Sequence, residues 1–299
     1  MQYITEICSY HSEKHSAVTL GKFDGLHRGH QKLIDKIREY AFEDQEVESV
    51  VCAFDMGKAS LLTAMERKER LLEQVDTLVA CPFTKGLREM EAEDFIRKVL
   101  LNTFHAAYIV VGTDFQFGHE KRGNVLMLER YAKVYGYHLD VIEKERYEGR
   151  VISSTSVREA LSTGNVGLAN ILLGYPYHIS GRVEHGKQLG RTLGFPTMNV
   201  APAAGKILPR FGVYACRLKA GGRWLSGIAN IGVKPTVAKE PRVLVEAFAF
   251  DFNEDVYENE ITIQFKAFVR PEQKFQSVEE LKSQVEADIC FGKEYFGKR

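Results

Sequence analysis

Over its first half the chain alternates two kinds of apolar pattern. Short unbroken runs lie around Ala17, Val18 and Leu20, and at Val47–Phe54, Leu78–Cys81, Ala107–Val111 and His138–Ile142. They have the length of strands buried on both faces. The stretches between them repeat their apolar residues at three and four. Gln31–Asp44 sets Leu33, Ile34, Ile37, Tyr40 and Ala41 on one helical face, and Ala92–Phe104 and Val125–Tyr135 also read as helices. Thr63 and Glu66 have capping-box spacing ahead of a helix through Leu71, Leu72 and Val75. A short helix over Ser156–Leu161 stops near Gly164. Strands alternating with helices predict an α/β domain built on a doubly wound parallel sheet.

The pattern changes near residue 175. Gly174-Tyr175-Pro176 is turn chemistry, and beyond it short strands with glycine and proline punctuation take over. Ile179–Glu184, Val213–Leu218, Trp224–Ile228, Val243–Phe252 and Ile261–Phe268 predict an antiparallel β-barrel or sandwich. A terminal amphipathic helix over Ser277–Phe291 opens on a Ser277/Glu280 capping box. The boundary is placed at Tyr177, giving domains 1–176 and 177–299.

At 299 residues the chain has room for two cores, and 44% apolar with 27% charged residues is the balance of a soluble globular protein. Lys+Arg and Asp+Glu are 40 each, so no extended basic footprint for nucleic acid is expected. The five cysteines are scattered without a CxxC pair, which predicts reduced thiols rather than a disulfide framework or a zinc site. The opening MQYITEICSYHSEKHS has no basic segment followed by an apolar core, and no apolar run has the length of a bilayer span. A cytoplasmic protein with small-molecule partners, monomeric or weakly homo-oligomeric, is the expectation.

Where the first buried run meets the first amphipathic stretch the chain reads GKFDGLHRGH, Gly21–His30. This is a strand, a tight glycine turn and a helix start, a junction that aims backbone N–H groups and a helix dipole at an anion. His27 and His30 are three apart and can face one spot. A structural turn with two surface histidines is the plain alternative; the coincidence of glycines, paired histidines and helix start favours phosphate chemistry. Ile152–Arg158, ISSTSVR, follows the last strand of this half. Alone it is an ordinary helix cap. Beside the first motif, Ser154, Thr155 and Arg158, on the helix's first turn, make a cradle for a di- or triphosphate.

A second candidate lies in Gly181–Val200, GRVEHGKQLGRTLGFPTMNV. Gly186, Gly190 and Gly194 recur every four residues with Lys187 and Arg191 between them, suited to a loop closing over phosphates. After Pro196, Thr197 and Asn199 point the same way and offer oxygen ligands for Mg²⁺; a plain Pro/Asn turn is the alternative. On the strand Val243–Phe252, Leu244, Glu246, Phe248, Phe250 and Phe252 share one face. Glu246 is thus a lone carboxylate in a phenylalanine row. If that face is buried, desolvation raises its pKa and makes it a better base. Pairing with Arg242 or Arg270, or an outward-facing row, is the other possibility.

These motifs carry a resemblance. GKFDGLHRGH, Gly112–Gly123 (GTDFQFGHEKRG) and Ile152–Leu161 (ISSTSVREAL) resemble the adenylyltransferase half of the bifunctional riboflavin kinase/FMN adenylyltransferase family. PTMN, VEAFAFDFNEDVY and VRPEQKF resemble its kinase half. The resemblance runs from Ser16 to the C-terminus. It implies phosphorylation of riboflavin to FMN by ATP in the C-terminal domain, and adenylylation of FMN to FAD with pyrophosphate release in the N-terminal domain. His27 and His30 would contact the ATP phosphates, and Ser154, Thr155 and Arg158 would hold the β/γ end. Gly21, Phe23, Asp24 and Gly25 would shape the turn, and Asp114 and Phe117 would line the nucleotide or flavin pocket. Glu246 would be the kinase base, with Thr197 and Asn199 holding Mg²⁺–ATP.

Some positions depart from the family. Lys22 stands where Asn is frequent, and Phe54-Asp55-Met56-Gly57-Lys58 where Pro-His-Pro is usual, with Lys58 a candidate replacement contact. In the kinase half PTAN becomes PTMN, Glu258 replaces a common Gly and Phe248 a common His, none of them a proposed catalytic group. The alternatives are a riboflavin kinase whose adenylyltransferase domain is weak or inactive, and a non-catalytic flavin or nucleotide sensor. The intact His27, His30, Thr197, Asn199 and Glu246 speak against the sensor.

Overall fold

The computed structural model describes residues 2–185, 190, 193–235, 241–252 and 254–297. Their contacts divide the chain after Ser154 into two compact units.

The first unit is built on six parallel strands: β1 (Gln2–Ile4), β2 (His15–Gly21), β3 (Val47–Asp55), β4 (Thr77–Pro82), β5 (Ala106–Gly112) and β6 (His138–Ile142). They lie in the order β1-β4-β3-β2-β5-β6. The central strands are continuously apolar because helices cover both faces; Val50, Val51, Cys52 and Ala53 are fully buried. From β2 the chain runs through α1 (Arg28–Glu43) to β3 on one side, while β5 joins on the other. The order therefore reverses between β2 and β5, and the crevice beyond their carboxyl ends is where such sheets take ligands. The expected capping box forms at α2 (Ala64–Leu72): Thr63 Oγ1 accepts from the Glu66 N–H, and the Glu66 carboxylate accepts from the Thr63 N–H.

Three elements differ from expectation. The helix expected over Ala92–Phe104 is a single turn, Ala92–Asp94, followed by α3 (Phe95–Thr103) with wide turns, in which the Phe104 N–H reaches the Val99 carbonyl five residues back. β1 was not expected. Nor was α6 (Val166–Leu173), which follows α4 (Val125–Tyr135) and α5 (Ser154–Ser162); it is apolar nearly all round and so shows no helical face in the sequence. Both ends of α6 are marked, by the Asn165 cap on the Leu168 N–H and by left-handed Gly174.

The second unit is a closed six-stranded antiparallel barrel. Its strands are β7 (His178–Glu184), β8 (Met198–Val200), β9 (Gly212–Ala220), β10 (Arg223–Pro235), β11 (Pro241–Ala249) and β12 (Glu260–Pro271). They close in the order β7-β8-β11-β10-β9-β12. The interior takes small and branched residues, among them Val245, Ala247, Ala249, Ala229 and Ile231, together with the fully buried rings of Tyr214 and Phe265. α6 docks on the barrel through Asn170, whose amide donates to the Phe265 carbonyl and accepts from the Tyr177 N–H. The contact division thus groups α6 with the barrel, although the change of pattern falls at Tyr177.

β11 ends at Ala249, earlier than the alternation suggests, and the chain turns at Phe250 and left-handed Asp251. Its other face, carrying Glu246, Phe248 and, just past its end, Phe250, looks outward. α7 (Val278–Gly297) covers that face, with Ile289 and Phe296 against Val213, Ile228 and Phe250. One ion pair pins it: Arg270 donates through Nε and Nη2 to Asp288, whose side chain is 3% exposed. Removing one partner of such a pair strands a buried charge. Asp288→Ala should therefore destabilise the barrel unit by about 3–5 kcal/mol. The single tryptophan, Trp224 on β10, reports that unit in urea titrations; an unchanged midpoint would refute the assignment.

Candidate active sites

Beyond β2 the chain makes a turn that backbone sterics disfavour. Phe23 (φ 46°), Gly25 (φ 82°) and Leu26 (φ 41°) are all left-handed, and two of them carry side chains. Non-glycine residues held this way cost about 1–3 kcal/mol each and persist only where the surroundings fix them. Here the surroundings do. Phe23 and Leu26 are buried. Arg67 Nη1 donates to the Lys22 carbonyl at 3.2 Å, Asp24 Oδ1 accepts from the Leu61 N–H at 2.7 Å, and Ser154 Oγ donates to the Asp24 carbonyl at 2.8 Å.

The turn delivers His27 as the N-cap of α1. Its Nδ1 accepts from the His30 N–H at 3.3 Å, which places the proton of the neutral ring on Nε2. The two imidazoles stack at 3.7 Å between centroids. Burial pushes the His27 pKa down to about 4. Burial, and then the neighbouring His27, hold His30 well below the usual imidazole range. Both rings are therefore uncharged hydrogen-bond donors at neutral pH. His30 Nδ1 is buried without a hydrogen-bond partner among the described residues.

His30 lines a cleft of about 660 Å³ at the carboxyl ends of the strands, with Gly21, Asp114, Phe117 and Ser154 also in its wall. Phe54, Phe83, Phe95 and Phe115 give it aromatic walls, and Lys22, Arg88 and Lys121 its positive charge. Asp114 is held by Lys144 at 2.7 Å. Lys58 is not in the lining; the segment after β3 contributes Phe54 and Met56 instead. α5 starts at Ser154, two residues earlier than expected, so Arg158 opens its second turn rather than lying on its first. Thr155 is exposed and Arg158 half-buried, and both group with the second unit.

In the barrel, Gly186, Lys187 and Arg191 lie outside the described residues. Gly190 and Gly194 are described. The Gly190 carbonyl accepts from the Phe195 N–H, and a Cβ on Gly190 would lie 2.4 Å from the Phe195 carbonyl and 3.4 Å from Thr197 Oγ1. Gly194 is left-handed at φ 89°. The loop thus folds tightly onto Thr197. Thr197 belongs to two pockets, one of about 370 Å³ with Val183, Pro196, Glu254 and Tyr257, and one of about 330 Å³ with Glu246, Asn230 and Phe248.

Strand register aligns the polar groups. Asn199 on β8, 8% exposed, lies opposite Glu246 on β11, and Glu246 opposite Asn230 on β10. Glu246 is half-buried, because its row is the outer barrel face roofed by α7 rather than the interior. The two arginines named as possible partners are engaged elsewhere: Arg242 forks onto Glu184 at 2.9 Å through both nitrogens, and Arg270 binds Asp288. Asn230, the α7 side chains Leu281 and Val285, and the Arg67 anchor were not singled out from sequence. The available signal for Asn230 was an amide residue inside a strand, where such residues are disfavoured.

Residues 9–156 match the family model described as FAD synthetase, and residues 173–296 the one described as riboflavin kinase. The chain is 38% identical over 293 residues to the bifunctional riboflavin kinase/FMN adenylyltransferase of Escherichia coli K12, covering 94% of this chain and 92% of that one. It is 34% identical over 301 residues to the protein of the same name from Pseudomonas fluorescens, covering 97% and 96%. A Streptococcus pneumoniae crystal structure titled as a macrolide-efflux protein superimposes with a TM-score of 0.86 at 29% identity over 96% of both chains. No helix among the described residues is long and apolar enough to cross a membrane. With both of its halves matched in order, this chain belongs to the bifunctional riboflavin kinase/FMN adenylyltransferase family.

Proposed function

We propose that the barrel phosphorylates riboflavin to FMN and that the parallel-sheet unit adenylylates FMN to FAD, the two ATP-dependent steps acting in series. The observation that carries the second step is the stacked pair of neutral imidazoles at the N-terminus of α1, of which His30 lines the aromatic cleft. In that step an FMN phosphate oxygen attacks the α-phosphorus of ATP, a new P–O bond forms, and the bond to pyrophosphate breaks. The nucleophile is already an anion, so no base is needed. Positioning and charge stabilisation supply the acceleration. His27 and His30 offer N–H donors to the reacting phosphate, Ser154 holds the departing β/γ end, and the phenylalanine walls take the flavin ring.

The kinase step has an alcohol as nucleophile and gains from a base. Glu246 accepts the proton of the riboflavin 5′-hydroxyl as that oxygen attacks the γ-phosphorus, and ADP leaves. The donor set suits a hard divalent ion: a hydroxyl at Thr197, an amide oxygen at Asn199 and a carboxylate on the adjoining strand. Thr197 and Asn199 would hold Mg²⁺, which neutralises phosphate charge when bound. The working setting is the cytoplasm, where the five free thiols stay reduced, and the partners are small molecules.

The second reading, a kinase with a weak adenylyltransferase, is motivated by Lys58, which is absent from the cleft lining where a family contact would be. Incubation with riboflavin, ATP and Mg²⁺ followed by chromatography of the flavins decides: FAD supports the series, FMN alone the second reading, and unchanged riboflavin neither. Glu246→Gln should lower FMN formation by about 10²–10⁴-fold and leave FMN-to-FAD conversion intact. Loss of both activities would sink the separation of sites.

The imidazoles also set a pH dependence. His27 binds a proton near pH 4 when folded and near 6.5 when unfolded, so the unfolded chain takes up protons first as pH falls. The stability present above pH 6.5 is then lost towards pH 4, by roughly 3 kcal/mol from this group. Amide exchange in β2 and α1 should accelerate across that window, and His27→Gln should flatten the dependence. A wild-type profile without slope between pH 6.5 and 4 would contradict the buried neutral ring.

A further inference from the structure

Among the polar side chains of the barrel pocket that the kinase chemistry above leaves unused is Asn230. Asn230 sits mid-strand on β10, half-buried, opposite Glu246 on β11, and lines the same 330 Å³ pocket. Directly opposed residues of an antiparallel pair carry their Cβ atoms about 4.5–5.5 Å apart on the same face. The Asn230 amide and the Glu246 carboxylate therefore open side by side into one space. Ile228 and Gly232 share that face of β10. A Cβ on Gly232 would lie 2.0 Å from Glu272 Oε1, so glycine there leaves room for a second carboxylate beside Asn230. The rest of the lining mixes apolar side chains, among them Phe195, Ile228, Phe248, Phe275 and Leu281, with Thr197, Gln273 and the Arg270–Asp288 ion pair. Among the described residues no hydrogen-bond partner accompanies the Asn230 side chain. A half-buried amide in a pocket wall, with its donor and acceptor both available, is a group built to meet polar atoms of a ligand.

Resting on the kinase reading, we infer that Asn230 is a specificity residue that binds the ribityl 4′-hydroxyl of riboflavin and so presents the 5′-hydroxyl to Glu246. The spacing supports this hydroxyl in particular. Vicinal hydroxyl oxygens of a polyol lie about one hydrogen-bond length apart, and a base and an amide on opposed strand positions are separated by the same order of distance. With Glu246 on the 5′-oxygen, the amide reaches the oxygen one carbon away. A polyol has several hydroxyls of similar chemistry, and a flexible chain held only by its ring would offer them to the base without distinction. Fixing the neighbouring hydroxyl selects one of them and orients it for attack.

The test pairs a variant with a substrate that lacks the partner atom. Wild type and Asn230→Ala are assayed for phosphorylation of riboflavin and of 4′-deoxyriboflavin, with FMN-to-FAD conversion as an internal control on folding. Asn230→Ala should lower kcat/KM for riboflavin by about 10–100-fold, leave the KM for ATP unchanged and show no further loss on 4′-deoxyriboflavin. Asn230→Asp, which keeps the size and loses the N–H donors, should lie between the two. Wild-type rates in Asn230→Ala, or an equal loss on both substrates, would overturn the assignment. Glu246→Gln run alongside separates the two claims, since retention of kinase activity there would refute the base rather than Asn230.

Discussion

The adenylyltransferase half depends on a turn that its own backbone resists. Between β2 and α1 three residues are left-handed, and only one of them is glycine. The reward for that strain is geometric: it rotates the chain so that His27 caps the helix and stacks on His30 at the open end of the sheet. Much of the neighbourhood serves to hold it. Arg67 from α2, the Leu61 N–H and Ser154 each bind one atom of the Lys22–Asp24 segment, and Phe23 and Leu26 fill the space beneath. The same burial that stabilises the turn keeps both imidazoles uncharged. Imidazole protonation state and backbone conformation are thus consequences of one packing arrangement.

The barrel half uses a different device. Its interior is packed solid, from Ala229 and Ala247 to Tyr214 and Phe265. The row of Glu246, Phe248 and Phe250 lies on the outside wall, where α7 roofs it. That roof is fixed by a buried ion pair as well as by apolar contact, and Asp288 and Arg270 themselves line the pocket. Two unrelated candidate sites therefore coexist in one chain: a helix N-terminus at the switch point of a parallel sheet, and the outer wall of a closed barrel.

Local chemistry made much of this legible in the sequence. α1 keeps its predicted face, the Thr63–Glu66 box forms with both bonds, and Val125–Tyr135 is helical over its full expected length. Each is decided within a few residues. The reading faltered where the signal was polarity without backbone information. The alternation of Phe248, Phe250 and Phe252 ran past the end of β11, because a turn can carry apolar residues as easily as a strand. α6 was missed because an apolar segment with no polar face has no period to detect. Among the candidate site residues, those in compact motifs were visible. Asn230, Arg67 and Asp288 were not, because what makes them relevant is a partner 16 or more positions away in the chain.

By itself the sequence determined the two architectures, since these follow from periodicity, turn residues and short-range spacing. Tertiary structure decided which face of β11 looks inward and what charge the histidines bear. Alternation defines two faces without saying which is enclosed; closure of the barrel on Val245, Ala247 and Ala249 settles it, and α7 then covers the other. An imidazole's protonation depends on how much water surrounds it, and that is a property of the packed chain as a whole.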